Sequence, residues 1–435
     1  MSALPELDRR VQRNLPLLHC YSFLLGLKLY VPVWLIYFRQ LGLTDFQSGQ
    51  LWAISFGASL LTDGITGVIA DRWGYRKSLM LGGWLITASF IGFYLAPEAA
   101  NDWWCLAASM ALLGVAATFV YNSTPQAFGS KSAKKVGNKG GFRRVQGLYS
   151  MNIYLGSALG AALAWVAISV LPDATRLVWI IQAGLSFGLV AVAYATQDLD
   201  EFRPGRNIAH WPSPREIFMK SRKFLHLHGS CLLTLVPILV LALGVEPLAF
   251  TAQAYCESVH LGLGWSTALF AVGYMISGTG AFKFAKLQLS PRRTIVTLAA
   301  LLAGAWLAMS CLPGWWQLVG IFALFLANGL PAITANALLD QLFLQYKATA
   351  MSVYMTVKRA CFVVAWPAMG WMFQHWHFRF ASLIVGLGLA AGMLVLAPLI
   401  LIRTRGASLP LMRVPTPWAG QPPSLICRRG VVLYT

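Results

Sequence analysis

Apolar residues run along this chain in blocks of about twenty, parted by short polar interruptions, and that rhythm predicts helices crossing a hydrocarbon layer rather than the two-faced elements of a soluble fold. About twelve blocks can be delimited: Leu17 to Phe38, Gly49 to Ala70, Ser78 to Leu95, Trp103 to Asn122, Gly147 to Leu171, Leu177 to Ala195, Cys231 to Ala252, Thr267 to Phe284, Thr294 to Leu312, Trp316 to Leu339, Ala350 to Phe373 and Phe380 to Ile402. The first is too long for a signal peptide and lacks the small-residue cleavage site, so it reads as a retained span. The longest interruption, Gln197 to His228, separates the blocks six and six. The segment from Leu29, LYVPVWLIYFRQLGLTDFQSGQLWA, lies without a gap over that from Ala249, AFTAQAYCESVHLGLGWSTALFAVG, and VQGLYSMN from Val145 echoes ATAMSVYM from Ala348. The expectation is an all-α integral membrane protein in two pseudo-symmetric halves, 17–196 and 229–402, joined by a loop over 197–228 and flanked by polar ends at 1–16 and 403–435.

Composition removes the soluble alternative. With 57% hydrophobic and 11% charged residues and a mean hydropathy of +0.61, the chain has too little polar surface to coat a globule of 435 residues. The net charge of +19 would suit a nucleic acid, but about 28 of the 34 Lys and Arg fall in the N-terminus, the even-numbered loops and the tail, leaving Arg39, Arg176 and Arg379 on the other side. That asymmetry places both termini in the cytoplasm and makes the bilayer of an inner (plasma) membrane the partner, with no nucleic acid. Trp103, Trp104, Trp315, Trp316, Trp371 and Trp376 lie at span ends, where amphipathic rings favour the interface. The cysteines lie singly in apolar segments, so neither a disulfide framework nor a metal site is expected. No Ser/His/Asp, metal or phosphate-loop constellation appears, so the chain is expected to be no enzyme and to need no cofactor. The proline-rich stretch beyond Arg403 reads as a disordered extension.

Between the second and third spans, GVIADRWGYRKSL sets an acid and a basic cluster from Asp71 to Lys77, read as a tight loop. This sequence resembles the signature of the major facilitator superfamily, with Gly67, Asp71, Arg72, Gly74, Arg76 and Lys77 at the family's positions. The resemblance implies that family's fold of two six-helix bundles and transport of a small solute by their rocking. It also implies that Asp71 pairs with or caps the neighbouring bundle, within a charge network of Arg72, Arg76 and Lys77 that gates the cycle. Repeated halves joined by a basic loop fit alternating access around a site near the bilayer midplane. The second half keeps only a worn copy, SGTGAFKFAKLQLSPRRTIV, without the acid. In span five, Gly147, Gly156 and Gly160 have the spacing of the glycine pattern of family antiporters, but Ala161 stands where its proline is expected.

Ionisable residues within spans are costly in lipid and so mark a cavity or a partner. They are Lys28, Asp63, Glu246, and adjacent Lys358 and Arg359, which point about 100° apart on a helix, so that one of the two at most faces a cavity squarely. Lys28 with Lys358 or Arg359 suits an anionic or carboxylate-bearing solute; the alternative is structural pairing with Asp63 or Glu246. Glu246, beside the helix-loosening Pro247, is the first candidate proton carrier and Asp63 the second. Tyr30, Trp34, Asn122, Asn152, Asn328 and Asn336 complete the candidate substrate-binding set. The functional expectation is a monomeric secondary transporter of a small organic solute, an anion where the lysines line the site, proton-coupled and exporting as an antiporter. The alternatives are an importer by proton symport, or a fold-retaining sensor or assembly factor.

Overall fold

The computed structural model describes residues 4–98, 102–121, 141–171, 173–197, 233–286, 291–332, 347–405, 425–428 and 431–434, with a few isolated positions between. The central loop 198–228 lies outside the described residues. Helices follow the apolar blocks: α1 Leu4–Gly26 and α2 Trp34–Gln40 make span 1, then α3 Asp45–Trp73, α4 Tyr75–Leu95, α5 Asp102–Val120, α6 Gly141–Val170 and α7 Ala174–Ala195 make spans 2 to 6. In the second half α8 Val236–Val245 and α9 Leu248–Ser258 share span 7, followed by α10 Leu263–Lys286, α11 Pro291–Cys311, α12 Leu318–Asn328, α13 Lys347–His375 and α14 Phe378–Arg405. Within the tail expected to be disordered, β1 Leu425–Arg428 and β2 Val431–Tyr434 pair antiparallel, Leu425 opposite Tyr434. The end bearing the N-terminus is called the near end below, and the end reached by Arg39 the far end.

Eight segments among the described residues are long and apolar enough to cross a membrane, and they fall in spans 3 to 7, 9, 10 and 12. Two of the other spans have a visible reason to differ: span 1 is broken in the middle and span 11 carries Lys358 and Arg359. The most extensive helix pairings join α6 with α10 and α3 with α13, so spans 5 and 8, and 2 and 11, form the seam between the halves. A helix turned towards the other half is spared from lipid and can hold polar groups.

The turn between spans 2 and 3 corrects the sequence reading. Where a loop from Asp71 to Lys77 was expected, α3 runs on to Trp73, Gly74 alone makes the turn at φ +89°, and Arg76 and Lys77 stand in the first turn of α4. That φ, with ψ 157°, is a conformation essentially confined to glycine. At the other end of α3, Thr44 and Gln47 close a capping box: Thr44 Oγ1 accepts from Gln47 N–H at 3.2 Å and Gln47 Oε1 from Thr44 N–H at 2.8 Å.

Both halves open with a helix interrupted near its midpoint. Pro32 has no N–H, and its ring would clash with the carbonyl four residues back, at Lys28; regular helix accordingly stops at Gly26 and resumes at Trp34. Pro247 does the same between α8 and α9. When Leu29 is aligned with Ala249, Glu246 falls opposite Gly26, so the two breaks correspond. Backbone groups freed inside a membrane must find partners. The Leu29 N–H donates to Gln182 Oε1 at 2.8 Å, and Gln253 Nε2 reaches across from span 7 to the carbonyls of Val31, at 3.3 Å, and Pro32, at 2.8 Å. Glycines bring span 5 against this break: a Cβ on Gly156 would meet the backbone of Gly26 at 3.0 Å, and one on Gly160 the Lys28 nitrogen at 2.7 Å.

Candidate functional site

The two breaks carry opposite charges towards each other. Lys358 Nζ of span 11 lies 3.3 Å from Glu246 Oε2 of span 7, and Lys28 of span 1 is in electrostatic range of the same carboxylate. So are Tyr154, Tyr274 and Tyr354, while Lys28 Nζ sits 4.7 Å from the ring centroid of Tyr121. Glu246 keeps 34% of its side-chain surface exposed and Lys358 18%, deep within the bundle, which marks an open space between the halves. Tyr154 of span 5 stacks with Tyr274 of span 8 across the seam, centroids 6.4 Å apart. Two ammonium groups against one carboxylate leave this centre with a net positive charge.

Arg359, one residue on from Lys358, turns instead into the seam with span 2. Its Nη1 lies 2.9 Å from Asp63 Oδ1 and donates to the Ser59 carbonyl at 3.0 Å, and both side chains are almost wholly buried. This is the structural pairing with Asp63 that the sequence offered for Arg359 as the alternative to a place in the binding site. At the far end a second ionic link joins the halves. Arg39 pairs with Asp45 of its own half, Nε to Oδ1 at 2.7 Å, and with Glu257 of the other, and the Phe46 N–H donates to Gln374 Oε1 at 3.2 Å.

The remaining sequence candidates divide. Tyr30 stacks with Trp179 and lies near Phe90 in the core of the first half, whereas Trp34 belongs to a ring cluster on the seam. Asn152 bonds His19, Nδ2 to Nδ1 at 3.2 Å. Asn328 ends α12, half-buried. Asn122 and Asn336, and the side chains of Asp71 and Arg72 with the surroundings of Gly67, lie outside the described residues. Arg76 sits over the Tyr194 ring at 4.3 Å, and Lys77 is exposed. Sequence reasoning missed Gln182, Gln253 and the Arg39–Glu257 link; Gln253 follows the Pro247 break in its own span, whereas Gln182 has no proline beside it, and neither amide names its partner from sequence.

The model of the Major Facilitator Superfamily matches residues 20–365. The chain belongs to the major facilitator superfamily. Membership makes it a multi-pass membrane protein built for secondary transport of a small solute. No match is found among the curated proteins. Among solved structures it is similar to the nucleoside transporter NupG (a D323A mutant), at 12% identity and TM-score 0.64 over 88% of this chain and 99% of that one. It is similar also to the xylose transporter XylE from E. coli in a partially occluded inward open conformation, at 10% identity and TM-score 0.69 over 89% and 99%. A D-xylose-proton symporter matches at 12% identity and TM-score 0.67 over 87% and 95%. At such identity these likenesses speak for the superfamily fold alone. Within it the Gly74 turn fits the signature's glycine, and Gly156 and Gly160 have a packing reason that is independent of transport direction.

Proposed function

We propose that this protein carries a small organic anion together with a proton, by alternating access around the centre formed by Lys28, Glu246 and Lys358. The observation that carries the reading is the 3.3 Å pair of Lys358 with Glu246 beside a second ammonium group. At an effective dielectric constant of about 20 the gross attraction in such a pair is about 5 kcal/mol, much of it offset by desolvation. A proton on Glu246 cancels that attraction and leaves Lys28 and Lys358 uncompensated, so a carboxylate binds best when the proton is present. Proton and anion thus favour each other, and mutual favouring is symport. When both have left, the ion pair re-forms and compensates one of the two ammonium groups for the return. Antiport would need the two to compete for one group, so the geometry supports the import alternative over efflux. The name of one structural neighbour, a D-xylose-proton symporter, is in keeping with this.

In this reading Asp63 is held by Arg359 as a seam contact and Glu246 carries the proton. The loops rich in Lys and Arg support a plasma membrane setting with both termini cytoplasmic, and a single chain holds the whole centre, which suits a monomer. The test is a proteoliposome assay with purified protein, a pH dye and a panel of organic acids. Wild type is expected to acidify or alkalinise the lumen with the solute gradient, and Glu246→Gln to exchange labelled solute without moving protons. Proton movement persisting in Glu246→Gln removes Glu246 as the carrier, and proton movement opposite to the solute reverses the assignment to antiport.

A further inference from the structure

From the charged centre an unbroken run of aromatic rings leads along the seam towards the far end. Lys358 Nζ lies 5.0 Å from the Phe362 centroid, Phe362 is 5.0 Å from Phe56, and Phe56 is 6.1 Å from both Trp52 and Trp366. Trp52 stacks on Trp366 at 5.1 Å, and Trp34 stands edge-on to both and to Phe250 at 5.5 to 6.0 Å. Trp34 and Trp52 belong to the first half, Trp366 and Phe250 to the second. Nothing about ring packing requires three tryptophans here, because phenylalanine fills such a cluster without a polar atom.

The indole nitrogens of Trp34, Trp52 and Trp366 are all buried with no hydrogen-bond partner, and so is Oε1 of Gln253, whose amide nitrogen is committed to Val31 and Pro32. Trp34 is 1% exposed, Trp366 6% and Gln253 1%. The Trp179 indole is also unpartnered, but it is packed inside the first half. An unsatisfied buried polar group costs about 1–3 kcal/mol, and four together on one seam are uncommon in a folded protein. A seam that opens during alternating access offers an explanation, since these groups face a neighbour from the other half only while the far end is closed. They are idle here and free to serve in the open state.

We propose that Trp34, Trp52, Trp366 and Gln253 form a second recognition subsite on the far side of the charged centre, taking the hydroxylated ring of a solute whose carboxylate rests on Lys28 and Lys358. Three N–H donors match hydroxyl or ring oxygens, the Gln253 carbonyl accepts from a hydroxyl, and the indole faces cover the apolar C–H face of a saturated ring. The solute class is therefore a polyhydroxylated monocarboxylic acid. This rests on the organic-anion reading above.

The test compares two probes of similar ring size and equal charge, D-glucuronate and cyclohexanecarboxylate, by titration calorimetry on the purified full-length transporter. Wild type is expected to prefer glucuronate. Trp34→Phe and Trp366→Phe keep a ring and delete one donor, and each is expected to lower the ratio of the two affinities about three- to tenfold, the worth of one hydrogen bond. Equal weakening of both probes in the variants would show a purely structural cluster and overturn the proposal. So would a wild type that binds glucuronate no better than cyclohexanecarboxylate, although the acid-binding centre would then stand. Binding of neither probe to wild type would bring down that centre as well, whereas D-glucose binding in place of both would keep the subsite's hydroxyl chemistry but overturn the acid.

Discussion

Replacing Asp63 by Asn tests the ion pair that ties span 2 to span 11. The Arg359 and Asp63 side chains are only 5% and 7% exposed, so the substitution leaves a guanidinium in the seam with the Ser59 carbonyl at 3.0 Å and an amide oxygen in place of a carboxylate. Breaking a buried pair from one side costs about 3–5 kcal/mol, of which the retained amide acceptor restores about 1. With an unfolding entropy of about 2.1 cal/mol/K per residue, a chain of 435 residues loses about 3 °C in Tm for a net 3 kcal/mol. Purified protein in detergent, heated while tryptophan fluorescence is followed, reads this directly. The double variant Asp63→Asn/Arg359→Gln carries no stranded charge and should melt above the single one. An Asp63→Asn protein that melts with wild type, or a double variant no more stable than the single, refutes the assignment. Lost proton coupling at unchanged Tm would return Asp63 to the role of proton carrier.

Gly160→Ala would bring a Cβ to 2.7 Å from the Lys28 nitrogen and 3.1 Å from the Leu27 carbonyl carbon; backbone cannot yield cheaply, so a loss of about 1–3 kcal/mol is expected in thermal unfolding. Gly184→Ala, where a Cβ meets nothing within 4 Å, is the control and should be neutral or stabilising by up to about 1 kcal/mol. Equal melting of these two alanine variants would refute the close packing of span 5 on the span 1 break. Gly74→Ala must hold a side chain at φ +89° and is expected to cost about 1–3 kcal/mol; an unchanged Tm would mean that the turn between spans 2 and 3 adopts another shape.

The lengths and number of the apolar blocks were legible because hydrocarbon thickness fixes them, and a chain this apolar has no other use for twenty-residue runs. The turn at Gly74 was less so: charges at Asp71, Arg72, Arg76 and Lys77 look like a loop in a hydropathy profile, yet a helix end projecting from the membrane accepts charge as readily as a loop does. Lys358 and Arg359 show where reading by period stops. Their 100° separation predicts that they part company, as they do, but which one meets Glu246 depends on how the halves are apposed, and that is a property of distant residues. The break at Lys28 lies between these cases. The rule that predicts a bend at Pro247 applies equally to Pro32, whose ring excludes the Lys28 carbonyl from a helix, so the interruption that presents Lys28 to the cavity is written in the sequence. What holds it open, Gln182 from span 6 and Gln253 from the opposite half, is not. A half-to-half contact that satisfies the broken backbone of span 1 also couples its shape to the position of span 7. When the far end opens, Gln253 must release the carbonyls of Val31 and Pro32 or draw them with it, and in either case the segment bearing Lys28 changes as the solute arrives.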